Sequence, residues 1–410
     1  MINYLQNKYK VYKQAFFFGL SIISFLCFFI GWGMTDSFLS CNASKISNHF
    51  NNQNIKVEIR ADGTTMVNNK PFFSFGFYHV SWRTTAQERI DALRGIAAAG
   101  FNTIHASATN LNDYGAFLDE AARLGVYVLT EQNKVGLVNL VKAFKNKPAV
   151  LGWSIADDVD SGRVTPNAVL ESHYQAKLTD PNHVTYVSGG SKKIEHFVNC
   201  SDIISMQAYP IIFGKGQELS LVYRKVLFTK EYITGNKNKA IYANLQTFDW
   251  AVEEPENLKY KQGTRSPTFE EVRNMTYQAI LAGAKGIVYY TYQDSVWNLP
   301  LAKPELWEKM KSLVPEIKEI SQIVLNGDFA KIEVGENNIL AGIWQSGKEA
   351  LVVVINTSFE RKSEVEIELP VNIIQLKPMF PDNTGSMSFR GGKLSGLMKP
   401  VGVQVYSLKS

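Results

Sequence analysis

At 410 residues, with 45% hydrophobic and 20% charged side chains, the chain has the material for a large folded domain and a smaller one, which excludes a disordered polypeptide. The formal charge of +5 is small and dispersed: clusters such as Lys142–Lys147 and Lys237–Lys239 flank apolar helix positions, as solvated helix ends do, so no nucleic-acid-binding stripe is expected. Three cysteines without a C-x-x-C pair, and six histidines never at metal-ligand spacing, argue against a structural zinc or a catalytic metal, and nothing calls for a cofactor.

The first element in chain order is Ala15 to Met34, "AFFFGLSIISFLCFFIGWGM", uncharged and long enough to cross a bilayer as a helix. Lys8, Lys10 and Lys13 precede it and Asp36 follows. Residues 1–36 therefore read as a cytoplasmic tail and a single transmembrane anchor, with the rest of the chain at a cell surface, in a periplasm or in a secretory lumen. A cleaved signal peptide is the competing reading, but it would have a shorter apolar core and a small-x-small site. Residues 37–54, "SFLSCNASKISNHFNNQN", are polar and Asn-rich and read as a tether.

From Pro71 onward, short β-branched or aromatic runs alternate with amphipathic stretches. The runs are 72–79, 101–107, 126–131, 150–157, 184–190, 202–210, 240–248 and 286–294. Between them, "AQERIDALRGIAAAG" lines Ile90, Leu93, Ile96 and Ala97 along one face and stops at Gly100; "YGAFLDEAARLG" stops at Gly125. "TPNAVLESHYQAKLTDP" opens on a Thr cap with Pro in the first turn, and "TFEEVRNMTYQAILAGAKG" also opens on Thr. Eight strand–helix repeats predict a closed (β/α)8 TIM barrel over residues 55–325. A doubly wound sheet would carry a Gly-rich phosphate loop after its first strand, and "FGFYHVSW" is not one. After one long predicted helix, "KPELWEKMKSLVPEIKEISQIVL", the texture changes to period-two runs between Gly, Asn and Pro. Residues 326–410 thus predict an antiparallel β-sandwich packed on the barrel.

In such a barrel the strand ends line the mouth where chemistry takes place. Those ends carry Tyr78, His79, Trp82, His105, Glu131, Asp157, Asp158, Gln207, Tyr209, Gln246, Tyr292, Asp294 and Trp297. Carboxylates and aromatics on one rim suit a sugar, because aromatic faces stack on pyranose rings and paired acids cleave glycosidic bonds. Each of these residues also has a structural reading: aspartates cap turns, and histidines in barrel walls are commonly held by hydrogen bonds. Asp160 reads as turn chemistry.

A fourth strand that ends in two successive polar side chains, the second an acid, resembles the clan of (β/α)8 glycoside hydrolases that carry Asn-Glu there. The resemblance covers residues 55–325, and the trailing β-domain is similar to those many such enzymes carry. It implies an acid/base on strand four, a nucleophilic Glu on strand seven and an aromatic on strand eight. The chain departs from that pattern with Asp157-Asp158 for Asn-Glu, Gln246 for the strand-seven Glu, and Tyr292 then Asp294 on strand eight. The resemblance therefore implies Asp158 as proton donor, with Asp294 or Glu131 as the second carboxylate. Glu131, on a strand about 4.8 Å from the fourth, suits a close pair, whereas Asp294, across the barrel, leaves room for a water. "ADDVD" and "MQAYP" also resemble chitinase-like barrels, without their terminal Glu. The expected partner is an oligosaccharide or polysaccharide. Because Gln246 cannot form a glycosyl ester, a non-catalytic glycan-binding or polysaccharide-assembly protein is the alternative.

Overall fold

The computed structural model describes residues 55–212, 219–236, 238–257, 264–370, 375–380 and 385–408. The expected anchor and tether, residues 1–54, lie outside the described residues. Among the described residues no helix is long and apolar enough to cross a membrane.

A three-stranded antiparallel sheet comes first: β1 (Val57–Ile59), β2 (Thr65–Val67) and β3 (Lys70–Pro71). Eight parallel strands then close into a barrel: β4 (Ser74–His79), β5 (Thr103–Ala108), β6 (Tyr127–Gln132), β7 (Val150–Ala156), β8 (Val184–Gly189), β9 (Ile203–Ala208), β10 (Ala240–Gln246) and β11 (Gly286–Gln293), with β11 returning to pair with β4. All eight predicted runs are strands. The small N-terminal sheet, absent from the sequence reading, shares a core with the barrel interior: Val57, Ile59 and Val67 pack with Leu129, Leu151, Tyr186, Ile203, Tyr242 and Val288.

Helices α1 (Ala86–Ala98), α2 (Leu111–Leu124), α3 (Leu137–Phe144), α4 (Pro166–Thr179), α5 (Leu221–Ile233), the short α6 (Trp250–Glu253) and α7 (Phe269–Ala282) lie between strands. Their starts follow the caps seen in the sequence. Thr85 and Thr268 form capping boxes with Glu88 and Glu271, which satisfy two otherwise free N–H groups at each helix start. The outward face of each strand packs against these helices in the larger core.

A short α8 (Leu299–Ala302) comes first, and the long predicted helix is broken into α9 (Pro304–Met310) and α10 (Leu313–Asn326). Pro315 is the cause: its ring would meet the carbonyl of Lys311 and it has no N–H to continue the ladder, so α10 restarts two residues earlier.

Beyond α10 two antiparallel sheets face each other across a core of Ile339, Ile343, Val352, Val354, Val365, Ile367, Leu394 and Met398. One has five strands, β12 (Asp328–Ile332), β13 (Ile339–Ser346), β14 (Glu349–Asn356), β19 (Val403–Leu408) and β16 (Lys377–Pro378); the other has β15 (Ser363–Glu368), β18 (Lys393–Met398) and β17 (Gly385–Arg390). Trp344, Leu351, Val353 and Ile355, on the far face of the five-stranded sheet, join the barrel's outer core. Asn274 of α7 ties the halves together, its amide donating to the carbonyls of Asn356 and Val401, both at 2.9 Å. Arg273 pairs with Glu316 at 2.9 Å and donates to the carbonyl of Val403 at 2.9 Å.

Candidate active site

At the C-terminal mouth, the register places Tyr78 beside His105, Ser107 beside Glu131 and Ser188 beside Ser205. Tyr78 Oη donates to Glu131 Oε2 at 2.9 Å, and Ser107 Oγ donates to the same oxygen. Asp157 Oδ1 accepts from Ser188 Oγ, from Gln207 Nε2 at 3.2 Å and from the Asp158 backbone N–H at 3.0 Å. Gln207 Nε2 also reaches Asp158 Oδ1 at 2.9 Å. Three carboxyl groups thus share one wall of the mouth.

Their environments differ. Glu131 and Asp157 are half-buried while Asp158 is exposed. Burial pushes the Glu131 carboxyl up to about 7, and the charge of Asp157 adds to the rise against the opposing hydrogen bonds of Ser107 and Tyr78. Burial, then the charge of Asp158, pushes Asp157 up to about 6. Neighbouring acids partly withdrawn from water resist ionising together, so they hold a proton near neutrality.

The chain leaves β7 at Ala156 and turns through Asp158, which adopts the left-handed conformation at φ 48°. Aspartate tolerates that conformation better than most residues. This turn directs Asp157 inward and leaves Asp158 on the rim. Asp160 accepts from the backbone N–H groups of Gly190 and Ser191 and so braces the loop after β8.

Aromatic rings adjoin these acids, with the Tyr78 ring 5.3 Å from that of Tyr290. Tyr209, Phe248, Trp250 and Tyr290 form a continuous cluster, with centroid separations of 5.3 Å (Tyr209–Phe248), 4.9 Å (Phe248–Trp250) and 5.9 Å (Tyr209–Tyr290). Burial raises the Tyr290 phenol, as do the charges of Glu253, Asp294 and Asp157.

Other sequence-predicted residues sit elsewhere. His79 is buried outside the strand wall, with Nδ1 at 2.9 Å from Ser81 Oγ. Burial and the nearby Arg89 hold it neutral, at about 3. His105 lies inside the barrel below the mouth, its ring 4.1 Å from that of Tyr78 and 5.2 Å from that of Tyr186. Gln246 is fully buried: its oxygen accepts from the Ile211 N–H at 2.9 Å and its nitrogen donates to the carbonyls of Ile211 and Phe248. Tyr292 faces outward against Phe77 and Trp307. Trp82 is exposed, with the Arg83 guanidinium 4.4 Å above its ring. Trp297 is buried and its backbone N–H donates to Asp294 Oδ1.

Asp294 is 5% exposed. Its Oδ1 accepts the N–H groups of Val296 and Trp297, both at 2.7 Å, while its Oδ2 receives no N–H or O–H donor. Against it stands the Glu253 carboxyl, whose Oε1 is also buried without such a donor. Among the described residues no three His, Cys, Asp or Glu side chains converge as metal ligands do.

Sequence reasoning missed Tyr290, Phe248, Trp250, Ser107, Ser188 and Glu253. For Tyr290 a signal existed, since Val288 and Tyr290 share a face by period two. The register of β11 against β4 breaks between Tyr289 and Gln293, so Tyr292 does not continue that face. Glu253 carried no signal, because it stands in a loop helix after the strand.

In sequence, the chain matches no family model and no curated protein. In three dimensions it is similar to several solved structures. One is described as a glycoside hydrolase (TM-score 0.58, 15% identity, covering 86% of this chain and 96% of that one). Another is an α-amylase from Geobacillus thermoleovorans complexed with acarbose (TM-score 0.60, 11% identity, 86% and 100%). A third is a family 39 glycoside hydrolase from Bacteroides cellulosilyticus WH2 (TM-score 0.52, 12% identity, 84% of each). At these identities the likeness is one of fold. The chain has the (β/α)8 fold of glycoside hydrolases, followed by a C-terminal β-domain.

Proposed function

We propose that this protein hydrolyses O-glycosidic bonds of a cell-surface or extracellular carbohydrate at the barrel mouth. The observation that carries this reading is an acid wall of Glu131, Asp157 and Asp158 that adjoins an aromatic cluster of Tyr209, Phe248, Trp250 and Tyr290: Tyr78, bonded to Glu131, lies 5.3 Å from the Tyr290 ring. The fold shared with glycoside hydrolases supports it. In this reading the aromatic wall stacks on a sugar ring, and Gln207 and Asp158 bond its hydroxyls. Asp157, turned inward, serves as the carboxylate that activates water, while Glu131 holds the proton the two would otherwise contest. These residues require no cofactor. We further propose that residues 15–34 anchor the barrel on the extracytoplasmic side of a membrane.

Gln246 favours a second reading, a glycan-binding or polysaccharide-assembly protein without turnover. Its amide is consumed by backbone hydrogen bonds, so the end of β10 presents no carboxylate. One experiment separates the two: the full-length chain and its Asp157→Asn variant are offered a panel of oligosaccharides, polysaccharides and aryl glycosides. Hydrolysis that falls by about 10²- to 10⁴-fold in the variant supports the enzyme. Equal binding of a glycan by both proteins, with cleavage by neither, supports the binder.

A further inference from the structure

The acid wall supplies one of the two groups that glycosidic cleavage needs. We infer that the other is Glu253, on the short helix α6 after the seventh barrel strand, acting as general acid and held in place by Asp294. This inference rests on the hydrolase reading and names the residue that protonates the leaving group.

The geometry singles out this pair. Asp294 is anchored by two backbone N–H bonds on one oxygen, so its other oxygen has a fixed direction, toward the Glu253 carboxyl. Two buried carboxyl oxygens without donors are costly beside each other unless a proton lies between them. The groups that face Glu253 are Asp294 from the loop after β11, Arg83 from the turn after β4, and Glu254 from its own segment. Arg83 is exposed and its charge is the one that opposes protonation. Burial first, then the hydrogen bond and charge of Asp294, push the Glu253 carboxyl up to about 9.

Tyr290 relates this pair to the acid wall. The charges that dominate at Asp157 and at Glu253 are each cluster's own, yet both clusters act on the Tyr290 phenol. Trp250, on the same short helix as Glu253, packs on Phe248 at 4.9 Å and on Tyr209 at 6.1 Å, so a sugar stacked on these rings lies beside the helix that carries Glu253, while Asp157 acts on the Tyr290 ring of the same cluster. In the step this arrangement performs, Glu253 gives its proton to the glycosidic oxygen as the C–O bond to the anomeric carbon breaks. Water adds to that carbon and Asp157 takes the water's proton. Solvent then returns a proton to Glu253 and removes one from Asp157. Asp294 touches no substrate and is a positioning residue.

The test uses the full-length chain with the variants Glu253→Gln, Asp294→Asn and Asp157→Asn. Infrared spectra in D2O report the protonated carboxyl directly, without substrate. The wild type is expected to show a carboxylic-acid band that persists at neutral pH, titrates in the alkaline range and is lost in Glu253→Gln. In Asp294→Asn it should titrate at lower pH. A wild-type spectrum without that band overturns the pair. On a glycoside that the wild type cleaves, Glu253→Gln should lose about 10²- to 10⁴-fold with an alkyl leaving group and far less with a dinitrophenyl one, which departs without protonation. Equal losses on both, or none, overturn the acid role. If the band is present but the wild type cleaves no glycoside, the hydrolase reading fails and the acid role fails with it, while the Glu253–Asp294 pair stands.

Discussion

Two ordinary carboxyl groups, Asp157 and Glu253, are pushed by their surroundings to about 6 and about 9. Groups moved apart in this way divide the labour of acid and base at one pH. The expected outcome is a bell-shaped profile of kcat/KM, rising through about 6 and falling through about 9. The acidic limb belongs to the Glu131–Asp157 pair as a unit, since each acts on the other's proton. Stability gives a second reading of Glu253. Its folded-state value is raised above the ordinary 4.5, so the native state binds more protons than the unfolded chain between that value and about 9. Native stability therefore falls as pH rises through this window. Glu253→Gln removes the penalty, so its Tm should exceed that of the wild type by a margin that grows from pH 5 to pH 9. A margin that stays flat with pH would contradict the buried pair.

Local signals located nearly every element. Thr caps, Gly stops and period-two runs are short-range physics, and the eight barrel strands follow them to within a few residues at each end. Where one element meets another, the sequence was less informative. At Gly76 a Cβ would lie 1.7 Å from the carbonyl oxygen of Thr103, so β4 and β5 can approach only because that side chain is missing. Gly76→Ala should cost at least about 3 kcal/mol in urea unfolding, because backbone rather than a flexible side chain must move. On α7, Asn274 begins an Asn-Met-Thr sequon, yet it is fully buried and bonded to the β-domain. Asn274→Ala leaves the buried Asn356 carbonyl and the partly buried Val401 carbonyl short of a donor and should cost about 1–3 kcal/mol by the same measurement.

At the scale of the whole molecule, the β-domain covers α7, whose residues from Glu271 to Ala282 are all buried. Truncation before Asp328 would expose that helix together with the core residues that meet Trp344 and Leu351. The truncated chain should bind an apolar dye and lose its cooperative thermal transition, whereas a barrel independent of its neighbour would keep both native properties. By itself, the sequence determined the barrel, the order of its elements and the β-domain, because hydrophobic period, caps and breakers act over a few residues. It also marked the acids at the ends of the third, fourth and eighth strands. Only the tertiary structure decided which of them face the mouth. Side-chain alternation stops being a guide where β7 gives way to a turn at Asp158 and where β11 shifts register. The meeting of Glu253 with Asp294 depends on barrel closure and on the path of a loop, and no local spacing encodes either.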